Sequence, residues 1–218
     1  MAERKEIHNQ AEAFFEKIWT GDDLWELQAS EFEQSRFARL SQILQGRRYG
    51  RVLEIGCGDG SFTRHLANVA EHILALDISP AAIAKARECN SEKTAVEFRI
   101  ANIMDYDVSN EGPWDLIVMT ETIYYLGWLY PFFDVAWLAG ELHKAGSPGG
   151  RLLLANTFGH IEDPLVLPSL IHTYRDLFLN VGFHKIKEEV FEGMKHRVKL
   201  EVLMTIFEKG SSDEENPR

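Results

Sequence analysis

The run Val52-Leu53-Glu54-Ile55-Gly56-Cys57-Gly58-Asp59-Gly60-Ser61 constrains this chain more than any other segment. A short apolar run leads into three glycines at alternate positions. The run reads as a buried strand, and the glycines as a tight strand-to-helix turn where backbone must approach a ligand closely. A dinucleotide-binding turn spaces its glycines G-x-G-x-x-G, so that a pyrophosphate sits on the helix N-terminus. Here the third glycine comes one position early, and Ser61 stands where that fingerprint wants glycine. Glu54 would repel a pyrophosphate but suits a ligand that carries an ammonium group.

With 218 residues the chain suits one α/β domain with a substantial core. Its formal net charge of −11 argues against non-specific nucleic-acid binding and against an anionic membrane surface, both of which need a basic footprint. The two cysteines, Cys57 and Cys89, are expected as free thiols of a reducing compartment, and no zinc-type spacing of Cys or His is present. The N-terminus is polar and lacks the apolar core of a signal peptide, so a cytoplasmic protein is expected. Thr122 to Gly140 is poor in charge but contains Gly127, Pro131 and Asp134, which suit a loop and helix over an apolar site better than a membrane span.

Apolar spacing predicts helices over 8–18 and 30–45, then an alternation of strand and helix. The strands are 51–55, 72–76, 95–100, 114–119 and 151–155. The helices between them are 61–70, Ser79-Pro80 to Cys89, 131–144 and 165–181, with a turn at Ser147–Gly150. The alternation then stops. Segments 185–191 and 198–207, joined through Glu192-Gly193, read as an antiparallel pair. The expected organisation is one domain over 1–209, with a helical cap at 1–46, a core at 47–209 and a disordered acidic tail at 210–218.

The pattern E-x-G-x-G-x-G after a strand resembles motif I of the class I S-adenosylmethionine (SAM) methyltransferases, and the closing hairpin is similar to theirs. The resemblance implies a Rossmann-like fold: a mostly parallel seven-stranded sheet with an antiparallel C-terminal hairpin and an N-terminal helical cap. It implies SAM as cofactor and S-adenosylhomocysteine (SAH) as product, with Glu54, Gly56, Gly58 and Gly60 at the cofactor. Asp77, at the carboxyl end of the second strand, is placed to take ribose hydroxyls, or else caps the next helix. Asn102 stands where the family often has an acid that binds the adenine amino group, or serves as a loop cap. Ile78 and Ile103 are positioned to sandwich adenine, or to fill core.

Ligands of open α/β sheets lie outside the carboxyl ends of the strands. That places Thr120 and Glu121 near the methionine part of the cofactor, with Glu121 able to bind an ammonium or a basic acceptor. Tyr124 and Tyr125 open an aromatic cluster with Trp128, Tyr130, Phe132, Phe133 and Trp137, part of it core and part lining the acceptor side. His160, after the fifth strand, is a candidate general base or a solvated loop histidine; His172, His8 and His65 are weaker candidates. The catalytic set expected is His160, Glu121 and Tyr124, without a metal. No N/D-P-P-Y/F motif follows strand four, which disfavours methylation of DNA bases or glutamine.

Asp22-Asp23-Leu24-Trp25 followed by Phe32-Glu33-Gln34 resembles the cap of the nodulation protein S methyltransferases, which act on the free amine of a deacetylated chitooligosaccharide. Trp25 is then expected at the cofactor. The function implied is methyl transfer to nitrogen or oxygen of a small molecule, with an amino sugar or natural-product amine as first choice. An aromatic or glycosylated hydroxyl acceptor is the alternative. A nicotinamide oxidoreductase and a non-catalytic SAM-binding module are the rivals from other classes. The expected protein is a monomer or homodimer whose partner is a small-molecule acceptor, without nucleic acid or membrane.

Overall fold

A computed structural model describes residues 2–21, 25–159 and 163–211, with side chains from residue 4. The chain divides into two compact units, 1–106 and 107–218. Seven strands make one sheet in the order β3-β2-β1-β4-β5-β7-β6.

The N-terminal unit holds α1 (Ala2–Thr20), α2 (Glu31–Leu44), β1 (Tyr49–Ile55), α3 (Thr63–Leu66), β2 (Ala70–Asp77), α4 (Pro80–Cys89), β3 (Val96–Ile100) and a 3₁₀ turn (Ile103–Asp105). β1, β2 and β3 pair in parallel. Val52, Leu53, Leu74, Ala75 and Leu76 are buried in succession, as strands covered on both faces require. The Ser79 hydroxyl accepts the Ala82 N–H at 3.1 Å, and Pro80 opens α4 where its missing N–H costs nothing.

The C-terminal unit holds β4 (Trp114–Thr120), α5 (Ile123–Leu129), α6 (Phe132–Ala145), β5 (Gly146–Phe158), a 3₁₀ turn (Pro164–Val166), α7 (Pro168–Asn180), β6 (Phe183–Lys195) and β7 (Val198–Lys209). β4 and β5 run parallel, while β5–β7 and β7–β6 are antiparallel. Val135, Leu138, Ala139 and Leu142 put one stripe of α6 into the core at helical spacing.

Several expected elements take other bounds. α1 starts at residue 2 instead of 8, because its polar first turns are held by contacts that apolar spacing does not register: Arg4 Nη2 donates to the Met104 carbonyl at 2.8 Å, and His8 pairs with Asp105. The helix expected over 61–70 shrinks to Thr63–Leu66, since the Val69 carbonyl already receives the Tyr49 N–H and the chain re-enters the sheet at Ala70. The stretch after β4 folds at once into α5, before Pro131 starts α6.

Ser147–Gly150 do not interrupt the fifth strand; β5 absorbs them as an irregularity, its pairing jumping from Trp114↔Gly146 to Leu116↔Arg151. The helix expected over 165–181 is broken by Pro168 into a 3₁₀ turn and α7. The last hairpin turns at His196-Arg197, not at Glu192-Gly193. Both residues have positive φ, 50° and 67°, the conformation that a two-residue hairpin turn demands, adopted here without a glycine to announce it. Of the tail, 212–218 lies outside the described residues.

Candidate functional site

In the N-terminal unit the glycine turn is left-handed at all three glycines, with φ of 74° at Gly56, 55° at Gly58 and 74° at Gly60. Space as well as conformation requires glycine here. A Cβ on Gly58 would lie 2.8 Å from Cζ2 of Trp19, and one on Gly60 would lie 2.5 Å from Nδ2 of Asn90. Trp19 thus presses an indole directly onto the turn, and Asn90 braces its far side, donating to the carbonyls of Gly60 and Ala86.

Three buried carboxyls surround this turn. Glu54, on β1, accepts a 2.6 Å hydrogen bond from the Thr63 hydroxyl. Asp59, inside the turn, accepts from the Ser61 N–H and from Gln28 Nε2, both at 2.9 Å. Asp77, at the end of β2, accepts from the Gly58 N–H through Oδ2 at 2.9 Å and from the Ser79 N–H through Oδ1 at 3.0 Å. Its carboxylate therefore ties the β1 turn to the β2 turn and keeps lone pairs over.

Burial pushes the Glu54 carboxyl up to about 8 and Asp77 up to about 6, with the neighbouring acids adding to the rise. Burial, together with the same acids, also raises the Cys57 thiol; Cys57 and Cys89 are both free. Among the described residues none of the three acids pairs with a Lys or Arg. Such a cluster is complementary to a cationic ligand and hostile to a pyrophosphate. The Ser61 hydroxyl, buried and without a partner among the described residues, adds a polar atom at the same turn.

Other expected cofactor residues surround the same three strand ends. Trp25 packs edge-on against Trp19 with ring centroids 5.0 Å apart. Asn102 caps the 3₁₀ turn, its Oδ1 accepting the Met104 N–H at 3.0 Å, so the cap reading describes its observed bond. Ile103 is buried and Ile78 half-buried.

Helix α1 touches the loop after each strand of this unit. Arg4 and His8 hold the loop after β3, Glu16 accepts from the Ser79 hydroxyl and the Ala81 N–H after β2, and Trp19 lies on Gly58 after β1. Sequence reasoning missed Trp19, Glu16, Gln28 and Asp59. Only Asp59 carried a local signal, from its place within the glycine run. Of the weaker histidines, His65 stacks on Phe62, and burial lowers its pKa.

In the C-terminal unit, Glu121 follows β4 with φ 52°, a strained conformation for a residue with a side chain. The strain is held from several sides. Its N–H donates to Ala155 at 2.8 Å, its carboxylate accepts the Thr157 N–H at 3.0 and 3.1 Å, and the Tyr124 hydroxyl donates to Oε2 at 2.9 Å. The ladder between β4 and β5 ends at Thr120↔Ala155, and the Glu121 carboxylate takes over the next β5 amide. Thr120, Glu121 and Tyr124 are therefore brought together.

Tyr125 packs against Tyr124 with centroids 4.6 Å apart. The rest of the aromatic cluster divides: Tyr130 is core, whereas Phe133 and Trp137 are 80% and 66% exposed. His160 lies outside the described residues. His172, on α7, packs edge-on against Phe158 at 5.8 Å.

The sequence profile described as "Nodulation protein S (NodS)" matches residues 8–129. The chain belongs to this family. Curated relatives include nodulation protein S from Rhizobium tropici, 31% identical over 144 residues, which are 65% of this chain and 56% of that protein. Another is a ubiquinone biosynthesis O-methyltransferase from Xylella fastidiosa, 31% identical over 139 residues, 63% of this chain and 54% of that protein. The chain thus spans little more than half the length of these relatives. By structure it is similar to the N-methyltransferase NodS from Bradyrhizobium japonicum WM9 in complex with SAH: TM-score 0.76, 21% identity, covering 91% of this chain and 98% of that one. That likeness is one of fold. Among the described residues no helix is long and apolar enough to cross a membrane.

Proposed function

We propose that this protein is a SAM-dependent methyltransferase of small molecules, with an amine, such as that of an amino sugar or a natural product, as the acceptor. The observation that carries the reading is the cluster of Glu54, Asp59 and Asp77, buried without a Lys or Arg partner among the described residues, around a left-handed glycine turn. SAM carries a sulfonium and an ammonium to complement those acids, and a ribose diol for the lone pairs left on Asp77. Family membership supports the same cofactor.

When bound, SAM supplies a methyl group already activated for in-line displacement. The residues of this chain then have to orient, exclude water and manage one proton. In the N-terminal unit, Asp77 and Asn102 are assigned to the nucleoside. Glu54 and the turn amides are assigned to the amino-acid end, under the indoles of Trp19 and Trp25. In the C-terminal unit, Glu121, fixed by Thr157 and Tyr124, is assigned to an ammonium. The protein is expected to work as a cytoplasmic monomer or homodimer.

The test is methyl transfer from labelled SAM to two matched panels, amino sugars with alkyl amines and phenols with sugar alcohols, beside an Asp77→Ala control. Turnover on amines that disappears in the control supports the reading. Turnover confined to hydroxyls replaces the amine acceptor with the O-methylation named for the Xylella relative. Absence of SAM binding would remove the reading altogether.

A further inference from the structure

Two buried polar side-chain atoms, one at the carboxyl end of β5 and one on α7, are left over from the roles assigned so far. Asn156 is 1% exposed, and among the described residues its Oδ1 has no hydrogen-bond partner. The Nδ1 of His172 is likewise buried and without a partner. Leaving such an atom unpaired costs about 1–3 kcal/mol, and a native fold that keeps one calls for a reason.

Both atoms belong to one corner of the C-terminal unit. Asn156 and Phe158 project from the same face of β5 because side chains alternate along a strand, and Phe158 is the residue whose ring meets His172. The two strand positions are roughly 7 Å apart. This is the end of the strand at which open α/β sheets take their ligands.

The charged groups of the surrounding elements are already committed. Asp163 accepts from the Leu165 N–H, Arg175 is held by Asp176 and Glu188, and Glu121, fixed by Thr157 and Tyr124, keeps the ammonium-facing role already assigned to it. Asn156 Oδ1 accepts, and so does His172 Nδ1 when the ring proton sits on Nε2; two such atoms together ask for a group with more than one hydrogen to give. A carboxylate or carbonyl offers none, a hydroxyl offers one, and an amine offers two or three.

We infer that Asn156 and His172 form the seat of the acceptor amine, with His172 Nδ1 taking its proton. The inference rests on the methyltransferase reading and deepens it. The incoming ammonium donates one N–H to Asn156 Oδ1 and another to the neutral imidazole of His172. Transfer of that second proton to Nδ1 leaves a lone pair on nitrogen. This pair forms the bond to the methyl carbon as the carbon–sulfur bond breaks and its electrons return to sulfur. The imidazolium then gives its proton to water.

The experiment compares wild type, His172→Gln and Asn156→Ala on glucosamine, with SAH affinity and thermal midpoint measured alongside. His172→Gln should lower kcat/KM about 100-fold and remove the acidic limb of its pH profile, with SAH affinity unchanged. Asn156→Ala should raise KM for glucosamine about 10-fold while kcat stays within a few-fold. A merely structural role would lower the thermal midpoint without moving the pH limb or splitting KM from kcat.

A second measurement needs neither turnover nor a variant that folds. In ¹⁵N spectra of wild type, the His172 Nδ1 resonance should move on addition of glucosamine in the absence of cofactor, and should stay put with mannitol. A His172→Gln enzyme with the wild-type rate and profile would overturn the inference, as would an Nδ1 resonance indifferent to the amine. Failure of wild type to transfer methyl to either panel overturns the methyltransferase reading instead, and the spectra still decide whether an amine sits at Nδ1.

Discussion

Asp77 and Glu121 do the same mechanical task in the two units and do it under opposite conditions. Each stands at the carboxyl end of a strand, and each uses its carboxylate to capture a backbone N–H of the neighbouring strand's end: Gly58 for Asp77, Thr157 for Glu121. Asp77 is buried and its pKa is pushed up to about 6 by burial. Glu121 is half-buried, carries a positive φ and receives a tyrosine hydroxyl. The first arrangement makes charge on the carboxyl costly. The second stores backbone strain to aim one carboxylate. One device, a carboxylate replacing a lost ladder partner, can thus either hold a carboxyl where its charge is costly or fix the direction of a strained side chain.

The comparison breaks most readily at the glycine turn. Gly58→Ala would place a Cβ on the Trp19 ring at an unfavourable φ, so SAH affinity should fall more than about 100-fold by calorimetric titration, with the C-terminal unit unaffected. Near-normal affinity would show that Trp19 gives way easily. Glu121→Gln should instead lower turnover about 100-fold with SAH affinity intact. A parallel loss of SAH affinity would mean that Glu121 serves the cofactor as well.

The acids of the N-terminal unit should also make stability depend on pH, with a definite sign. Glu54 and Asp77 bind protons more tightly folded than unfolded, so their protonated forms stabilise the fold at low pH. That contribution is lost as pH rises through about 6 for Asp77 and about 8 for Glu54. Between pH ~5 and ~8.5 the thermal midpoint of the free protein should drop by roughly 5 °C, and Glu54→Gln should flatten most of the upper part of that slope. SAM affinity should rise over the same range, since a cation favours the ionised carboxyls. Scanning calorimetry and titration across pH read both. The smallest effect is expected for Tyr124→Phe, which removes one of the bonds to Glu121: a loss of turnover of about 3- to 10-fold, with no change in SAH affinity.

Legibility from sequence differed between the units for physical reasons. The glycine turn, Asp77 and the Ser79-Pro80 cap are local signals, each written in adjacent residues, and they placed β1, β2 and α4 within a few residues of their ends. Trp19, Glu16 and Gln28 reach the same loops across long separations, and no periodicity carries that information. In the C-terminal unit the strands were readable from apolar runs. The hairpin turn was not, because His196 and Arg197 adopt left-handed backbone without glycine or asparagine. α5 was hidden by Tyr124, Tyr125 and Gly127, poor helix formers whose helix is secured by tertiary packing. Of the seat proposed at Asn156 and His172, the sequence offered His172 alone, as a weaker candidate base; the rest was beyond reach because an unpaired atom is defined by what fails to surround it.

The packing of Trp19 against Gly58 reaches beyond this one chain. An indole and a missing Cβ fill the same volume, so the two positions should drift together among descendants of a common ancestor. A lineage that acquired alanine at position 58 would be expected to carry a smaller residue at position 19, and one that lost the indole would be freed from the steric half of the ban on a side chain at 58, with the left-handed backbone as the half that stays. Paired changes at two sites thirty-nine residues apart would record, in inheritance, a contact that a single sequence conceals.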